Sequence, residues 1–355
     1  MKINELVQIN PKSKLNNYDF INYIDTSSVV DGTLLNIQYL IKNYPSRAQR
    51  TLEKFDILIS SVRPNLKHNY FVKVDKENLV ASTGFIQIRC NTNQTIPQYL
   101  YYFLTSGKRV CQYTMIADSS QTTFPSFNKE VIENLEIDLP NLEIQQHIVD
   151  TIGSVDDLIE KIEEKLNKIK EYGGLIFNKT IDCDLIDLLK IAKFEKGKEI
   201  GSANYLDKQK TNSVPYIRVG NLLNGEYDTY VVNSDCPQCD YEDILIAFDG
   251  APGRNIIGLK GRYSSGVQKV VCDKENKGYI YFYINSELCQ NTIKVHSQGT
   301  TILHASKSIK ELKIPIISSD NKNLLNSLFN EMVSLIKQKS KLKKQKDLLL
   351  KKYFG

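Results

Sequence analysis

The residues of this chain with the most chemical potential lie on two polar turns, each following an Asp-Ile-Leu-Ile strand. The first is Ser60-Ser61-Val62-Arg63-Pro64-Asn65-Leu66-Lys67-His68, and the second is Asp249-Gly250-Ala251-Pro252-Gly253-Arg254-Asn255. Both set an arginine and an asparagine beside a proline at a strand end. A guanidinium grips guanine O6 and N7 bidentately and a carboxamide does the same for adenine N6 and N7, so the pair suits base-edge readout. Pro-Asn and Gly-Arg-Asn are also ordinary turn sequences, and their recurrence is what gives the reading weight. A second polar segment precedes each of two long helices: Asp118-Ser119-Ser120-Gln121-Thr122-Thr123 and Ser297-Gln298-Gly299-Thr300-Thr301. Its hydroxyls and amides suit phosphate positioning as well as base contact.

Signatures of catalysis are missing. Gly253 to Lys260 nearly spells a phosphate-binding loop, but Leu259 stands where lysine must follow the glycine. Glu311-Leu312-Lys313 has nuclease-like spacing, yet it lies in an apolar strand repeated as Glu136-Ile137-Asp138 without the lysine. The Asp or Asn followed by Pro-Pro that cradles the amine in DNA adenine methyltransferases occurs nowhere. Cys236-Pro237-Gln238-Cys239 has metal-ligand spacing but lacks the second pair of a tetrahedral zinc site, so two unligated thiols are expected. The four histidines, 68, 147, 296 and 304, have no nucleophile constellation around them. No cofactor or metal is expected in this chain.

The elements that would position these loops are written twice. Asp56-Ile57-Leu58-Ile59 recurs as Asp243-Ile244-Leu245-Ile246 at an offset of 187, and the paired threonines 122–123 recur at 300–301 at an offset of 178. A period this long is a duplicated domain. After Asn141 as N-cap, Ile148, Ile152, Val155, Ile159, Ile162, Leu166 and Ile169 form an unbroken heptad seam. Gly173-Gly174 is expected to end that helix, giving 28 residues from Gln145 to Tyr172 and a length of ~42 Å. The second helix, capped by Ser318-Ser319-Asp320, carries Leu325, Leu328, Met332, Leu335, Leu342 and Leu349, with Lys339 and Lys346 at seam positions. A strict 3.5 period favours pairing of the two as an antiparallel coiled coil over separate packing on each module. Strands are expected at Asp56–Ser61, Leu79–Ile88, Asp243–Phe248 and Val267–Cys272, with short helices or strands at Gln98–Leu104 and Tyr279–Glu287.

Composition sets the bounds. With 355 residues and 41% hydrophobic content the chain can bury two ordinary cores. Its net charge is +5, but Leu335 to Gly355 holds eight lysines against one acid, so the remainder carries −2. Polyanion binding must therefore come from local patches or from the terminal helix. The amino-terminal residues form no apolar signal segment, no apolar run approaches a membrane span, and the seven cysteines show no regular framework, so a cytoplasmic location is expected.

This layout resembles the specificity subunit of Type I restriction-modification systems. Matching residues are Tyr23-Ile24-Asp25-Thr26-Ser27, Pro45-Ser46-Arg47-Ala48, Asp56 through Asn65, and Leu139-Pro140 followed by Ile144-Gln145-Gln146-His147-Ile148. In the second half Pro215-Tyr216-Ile217-Arg218-Val219, Asp243-Ile244-Leu245-Ile246-Ala247 and Ile314-Pro315-Ile316 fill equivalent places. The second helix starts with Ser319-Asp320-Asn321-Lys322 where the family has Pro and Gln, and the chain is compact for the family.

The resemblance implies an α+β fold: two similar mixed α/β target-recognition domains, 1–143 and 175–318, separated by two long antiparallel coiled-coil spacer helices, 144–174 and 319–355, with pseudo-twofold symmetry. It implies that each domain reads half of a split double-stranded DNA site and that the helices set the gap. Two methyltransferase subunits carrying S-adenosylmethionine would dock on the scaffold and a restriction subunit would join them. A ~42 Å helix corresponds to ~12 base pairs, about one duplex turn. The expected DNA-binding residues are Arg47, Arg63, Asn65, Lys67, His68, Ser120, Gln121, Thr122, Arg218, Arg254, Asn255, Gln298 and Thr300. The competing reading is a non-DNA protein-interaction scaffold built from a duplicated domain, which the near-neutral modules favour.

Overall fold

The computed structural model describes residues 1–12, 18–90, 93–119, 123–178, 183–232, 235–297 and 304–355. They form two compact units: unit 1 is Met1–Leu158 with Leu342–Gly355, and unit 2 is Ile159–Lys341. Each unit takes part of both long helices.

Apart from a two-stranded pair in each unit (Val29–Val30 with Thr33–Leu34, and Leu185–Asp187 with Lys313–Pro315), the strands of unit 1 are β1 (Val7–Ile9), β2 (Phe20–Ile24), β3 (Gln38–Ile41), β4 (Ala48–Thr51), β5 (Ile57–Ser60), β6 (Asn69–Phe71), β7 (Leu79–Ser82) and β8 (Phe85–Cys90). In unit 2 they are β9 (Ala192–Lys196), β10 (Ser213–Ile217), β11 (Tyr230–Val232), β12 (Gln238–Cys239), β13 (Ile244–Ala247), β14 (Asn255–Ile256), β15 (Gly261–Tyr263) and β16 (Val267–Cys272). Unit 1 builds one sheet in the order β1-β8-β5-β6 and another in the order β3-β2-β7-β4; unit 2 repeats them as β9-β16-β13-β14 and β11-β10-β15-β12. The single parallel contact of each second sheet also recurs, between β2 and β7 and between β10 and β15. The expected strand Leu79–Ile88 is in fact two, split at Thr83-Gly84 so that β7 and β8 enter different sheets.

The repeated aspartate that opens β5 and β13 is structural. Asp56 is buried, accepts from the Glu53 N–H at 2.8 Å and is held by Arg89 at 2.7 Å. Asp243 accepts from the Asp240 N–H at 2.9 Å and is held by Lys277 at 3.3 Å. The same backbone turn thus closes on a neutralised carboxylate in both units, which keeps a partly desolvated charge paired.

The helices are α1 (Pro97–Thr105), α2 (Gly107–Asp118), α3 (Lys129–Glu133), α4 (Leu142–Asn178), α5 (Lys277–Ile284), α6 (Glu287–Val295) and α7 (Ser319–Phe354). In α1 every residue from Tyr99 to Leu104 is buried, and in α5 every residue from Gly278 to Ile284, so each is a core helix apolar on all sides. The long helices dock their short partners through amides. In unit 1 Gln145 Oε1 accepts from the Ile96 N–H at 2.9 Å, and in unit 2 Asn326 Oδ1 accepts from the Gly278 N–H at 2.7 Å. Asn326 therefore makes the link for which the second helix lacks a glutamine at its start.

Gly173-Gly174 does not end α4, which runs 37 residues to Asn178, or ~55 Å. A Cβ on Gly173 would lie 2.2 Å from the Phe282 ring. The glycine serves close packing of α5 against the helix. Polarity also corrects the seam. On α4 Ile148, Ile152, Ile162, Leu166 and Ile169 are buried, with Val155 and Ile159 half-buried. On α7 Leu325, Met332 and Leu335 are buried, but Leu328, Leu342 and Leu349 are only half-buried, while Phe329, Leu350 and Phe354 go inside. Aromatic contacts explain the rotation: Phe329 packs edge-on to Tyr281 at 5.4 Å, and Phe354 to Tyr99 at 5.4 Å.

The seam lysines find acids on α4. In unit 1 Lys346 meets Asp156 at 2.6 Å, and Tyr102 donates to the same carboxylate at 2.8 Å. In unit 2 Lys339 meets Glu163 at 2.7 Å and Lys165 meets Glu331 at 2.6 Å. Within unit 2 residue numbers rise along α4 as they fall along α7, so the helices run antiparallel there. Among the described residues no helix is long and apolar enough to cross a membrane.

Candidate nucleic-acid interface

In unit 1 the turn after β5 is tied to its surroundings by backbone bonds. The Ser61 N–H donates to Gly84 O at 3.0 Å, the Phe127 N–H to Ser61 O at 3.0 Å and the Arg63 N–H to Pro125 O at 2.8 Å. Arg63 and Lys67 bracket a 3-10 turn and both adopt left-handed backbone, at φ 48° and 51°. Side chains with a Cβ rarely accept that region, and such residues cluster at functional sites. Arg63 is exposed, with its guanidinium 5.1 Å from the centre of the exposed Phe124 ring and within 3.5 Å of Thr123 O. Asn65 and Lys67 are exposed as well, whereas His68 is half-buried with Nδ1 against Val29 O.

Unit 2 has the same turn with different residues at its key positions. Strand register pairs Ile59 with Asn69 and Ile246 with Asn255, so Asn255 corresponds to Asn69 and Arg254 to His68. The bridges Val62 to Ser126 and Asp249 to His304 place Arg63 opposite Gly250. Arg63 and Arg254 therefore occupy matching loops but not matching positions, because the second loop is one residue shorter between its strands. The left-handed sites are filled by Gly250 and Gly253, at φ 79° and 81°. Asn255 is committed to a reciprocal amide pair with Asn285, at 3.2 and 3.1 Å, and Asn69 accepts from the Ser60 N–H at 3.3 Å. The asparagine at this register position is structural in both units.

Arg47 is exposed on the turn before β4, where its carbonyl accepts from the Thr83 N–H at 2.8 Å. Structure thus brings Arg47 and Arg63 to one loop cluster in unit 1, linked through Thr83, Gly84 and Ser61. Arg218 is half-buried and engaged, paired with Asp228 at 3.0 Å and lying over Tyr205 at 5.4 Å. Ser120, Gln121, Thr122, Gln298 and Thr300 lie outside the described residues. Cys236 and Cys239 are buried thiols that point at the carbonyls of Lys198 and of Leu259 and Gly261, and burial pushes the Cys239 thiol up to about 12.

Two basic features escaped sequence reasoning. Unit 1 holds a cavity of about 520 Å³ where Lys67 meets Lys108, Lys343, Lys346 and Lys351, with Asp31 placed 3.7 Å from Lys343. It joins the turn after β5 to the lysine-rich end of α7. Beside Ser61 and Thr83 lies a second recess, lined by the half-buried Arg50. Nothing in local sequence distinguishes Arg50 from its neighbour Arg47; its burial without a partner is a tertiary fact.

The sequence profile of the Type I restriction modification DNA specificity domain matches residues 1–171 and again 183–348. The specificity subunit of the HindI Type I restriction enzyme of Haemophilus influenzae is 32% identical over 167 residues, covering 46% of this chain and 36% of that protein. The MjaVIII specificity subunit of Methanocaldococcus jannaschii is 26% identical over 197 residues, covering 54% of this chain and 45% of that protein. The chain thus spans less than half the length of these curated relatives. A crystal structure of the Type I restriction-modification S subunit from M. genitalium shares the fold, with a TM-score of 0.54 and 16% identity over 100% of this chain and 95% of that one.

Proposed function

Because the chain belongs to the Type I restriction modification DNA specificity domain family, we propose that it is the DNA specificity subunit of a restriction-modification complex. Each unit reads one half of a bipartite duplex site through the loops outside the long helices. The observation that carries this reading is the duplication itself: two units with one sheet order and one left-handed turn after the same strand, bearing different side chains. A split target needs such a layout. The long helices set the spacer and dock two methyltransferase subunits, and a restriction subunit joins the assembly in the cytoplasm. S-adenosylmethionine and the transfer of its methyl group to adenine belong to the methyltransferase subunits, and this chain is non-catalytic.

The test is co-expression with the methyltransferase subunits and mapping of methylated adenines in host DNA. A split motif is expected, and exchanging residues 1–140 for the module of another such subunit should change one half only. A continuous motif, or a swap that alters both halves, overturns the reading. The near-neutral charge of the modules favours one alternative, a protein-interaction scaffold. That alternative gains if the assembled complex retains no DNA.

A further inference from the structure

Arg50 on β4 is half-buried, and its Nε is shut off from solvent without a hydrogen-bond partner. Buried polar groups in folded chains are nearly always satisfied, so an orphaned guanidinium N–H calls for an explanation. Arg109 and Arg218 also leave Nε unpaired, but their other guanidinium nitrogens have acceptors, Gln112 and Glu136 O for Arg109 and Asp228 for Arg218, just as Arg89 has Asp56 and Glu53 and Arg262 has Cys236 O. Arg50 has none among the described residues, and burial uncompensated by any acid pulls its guanidinium below the ordinary arginine value. It remains a cation nonetheless, since arginine starts from so high a pKa.

The side chain lines a recess of about 330 Å³ with Asn10, Ser61, Thr83, Lys129 and Glu130. Asn10 accepts from the Gln87 N–H through Oδ1 at 3.0 Å, which leaves its amide NH2 to donate. Thr83 adds a hydroxyl. The Glu130 carboxylate is partly offset by Lys129, whose ammonium lies 4.0 Å away and 2.6 Å from Glu133. A guanidinium fork beside neutral donors matches a tetrahedral oxyanion. The recess also adjoins the candidate interface, since Ser61 lies two residues before Arg63 and Thr83 is bonded to the Arg47 carbonyl.

Among its described residues unit 2 has no counterpart to this cation. Gln87 donates to Thr51 O at 2.8 Å and Lys269 donates to Gln238 O at 2.9 Å, and this shared link equates Thr51 with Gln238 and Arg50 with Pro237. The cation is peculiar to unit 1.

Resting on the specificity reading above, we propose that the Arg50 recess receives one backbone phosphate of duplex DNA and so fixes unit 1 on its half-site without reading bases. A recessed donor set meets a protruding phosphate oxygen more readily than a base edge inside a groove.

The test measures duplex binding by the full chain assembled with its methyltransferase subunits, over a range of salt, for wild type, Arg50→Gln and Arg50→Lys. Melting temperatures verify folding of each variant. Arg50→Gln should bind about tenfold more weakly to every duplex regardless of sequence, and its log–log salt slope should shrink by ~0.9, the share of one phosphate. Arg50→Lys should keep the slope. An unchanged slope and affinity in Arg50→Gln overturns the recess and leaves the specificity reading standing; absence of duplex binding by wild type overturns both. A slope lost equally in Arg50→Lys assigns the effect to folding and overturns the proposal. Inorganic phosphate serves as a thermal-shift probe: protection of wild type but not Arg50→Gln, with duplex binding unaltered by the mutation, would assign the recess to a small free anion and also overturn it.

Discussion

The turn after β5 and the turn after β13 share a backbone and differ in what that backbone carries. Unit 1 places Arg63 and Lys67 at the two left-handed positions, and unit 2 places Gly250 and Gly253 there. A non-glycine residue in that region costs ~1–3 kcal/mol, so unit 1 sustains strain in order to project two cations. Unit 2 instead packs the site shut: a Cβ on Gly253 would lie 2.4 Å from Gln290 Oε1, and the Gln290 amide donates to Gly253 O at 3.1 Å. Its nearby cation, Arg254, sits next to β14 and is half-buried, unlike the exposed Arg63 and Lys67. One scaffold therefore carries two different arrangements of charge, as the proposed reading of two unlike half-sites requires.

The largest expected effect tests whether the two units are separable at all. Ile152 is fully buried in the unit 1 core with Tyr99, Tyr102 and Phe354. Ile152→Asp removes that apolar burial and strands a carboxylate, for a loss of about 4 kcal/mol or more. Hydrogen exchange followed by mass spectrometry should show lost protection in unit 1 with unit 2 amides retained. Equal loss in both units would break the comparison.

A smaller effect sharpens it at the turns. Gly253→Lys, which gives unit 2 the residue of unit 1, should destabilise by about 1–3 kcal/mol through both the backbone and the Gln290 clash. Arg63→Gly should leave stability unchanged or raise it by about 1 kcal/mol, while weakening binding by about 1–3 kcal/mol for the first half-site alone. Thermal melts paired with binding to duplexes altered in one half at a time distinguish these outcomes. A uniform binding loss across sequences would demote Arg63 to a phosphate contact, and a loss of stability would end the claim that its conformation is strained.

The smallest effect concerns the helices. Lys339 and Glu163 are roughly a quarter exposed, and Lys346 and Asp156 about a fifth, so water screens both pairs in part. Replacing Lys339 and Glu163 together by leucine should change stability by no more than about 1 kcal/mol, whereas Lys339→Leu alone leaves a carboxylate unpaired and should cost more. Chemical denaturation of the two single variants and the double variant gives the coupling. A double variant worse than either single would show the lysines to be essential to the pairing of the helices.

The duplication was legible in the sequence because its markers are local and have a fixed use. Asp56 and Asp243 recur since each closes the same turn, and the heptads recur since a helix must keep one face apolar. The aromatic runs Tyr99 to Leu104 and Tyr279 to Ile284, 180 residues apart in number, left helix and strand open in the sequence, and only the structure shows two core helices there. Gly173 misled because a glycine that ends a helix and one that admits a neighbouring ring look identical in sequence; only the Phe282 ring 2.2 Å from its missing Cβ separates them.

Sequence by itself determined that the chain holds two copies of one α+β unit, each served by long amphipathic helices, since periodicity and repetition are properties of order along the chain. Tertiary structure alone decided which residues correspond. Arg63 answers to Gly250 and not to Arg254, because equivalence is set by strand register, and one residue fewer in a loop shifts every side chain after it. It alone decided, too, that α7 turns Phe329 and Phe354 inward and that Arg50 is half-buried with its Nε enclosed and unpaired. Those outcomes depend on the shapes and charges that distant segments bring to a position, and no spacing rule along one chain contains them.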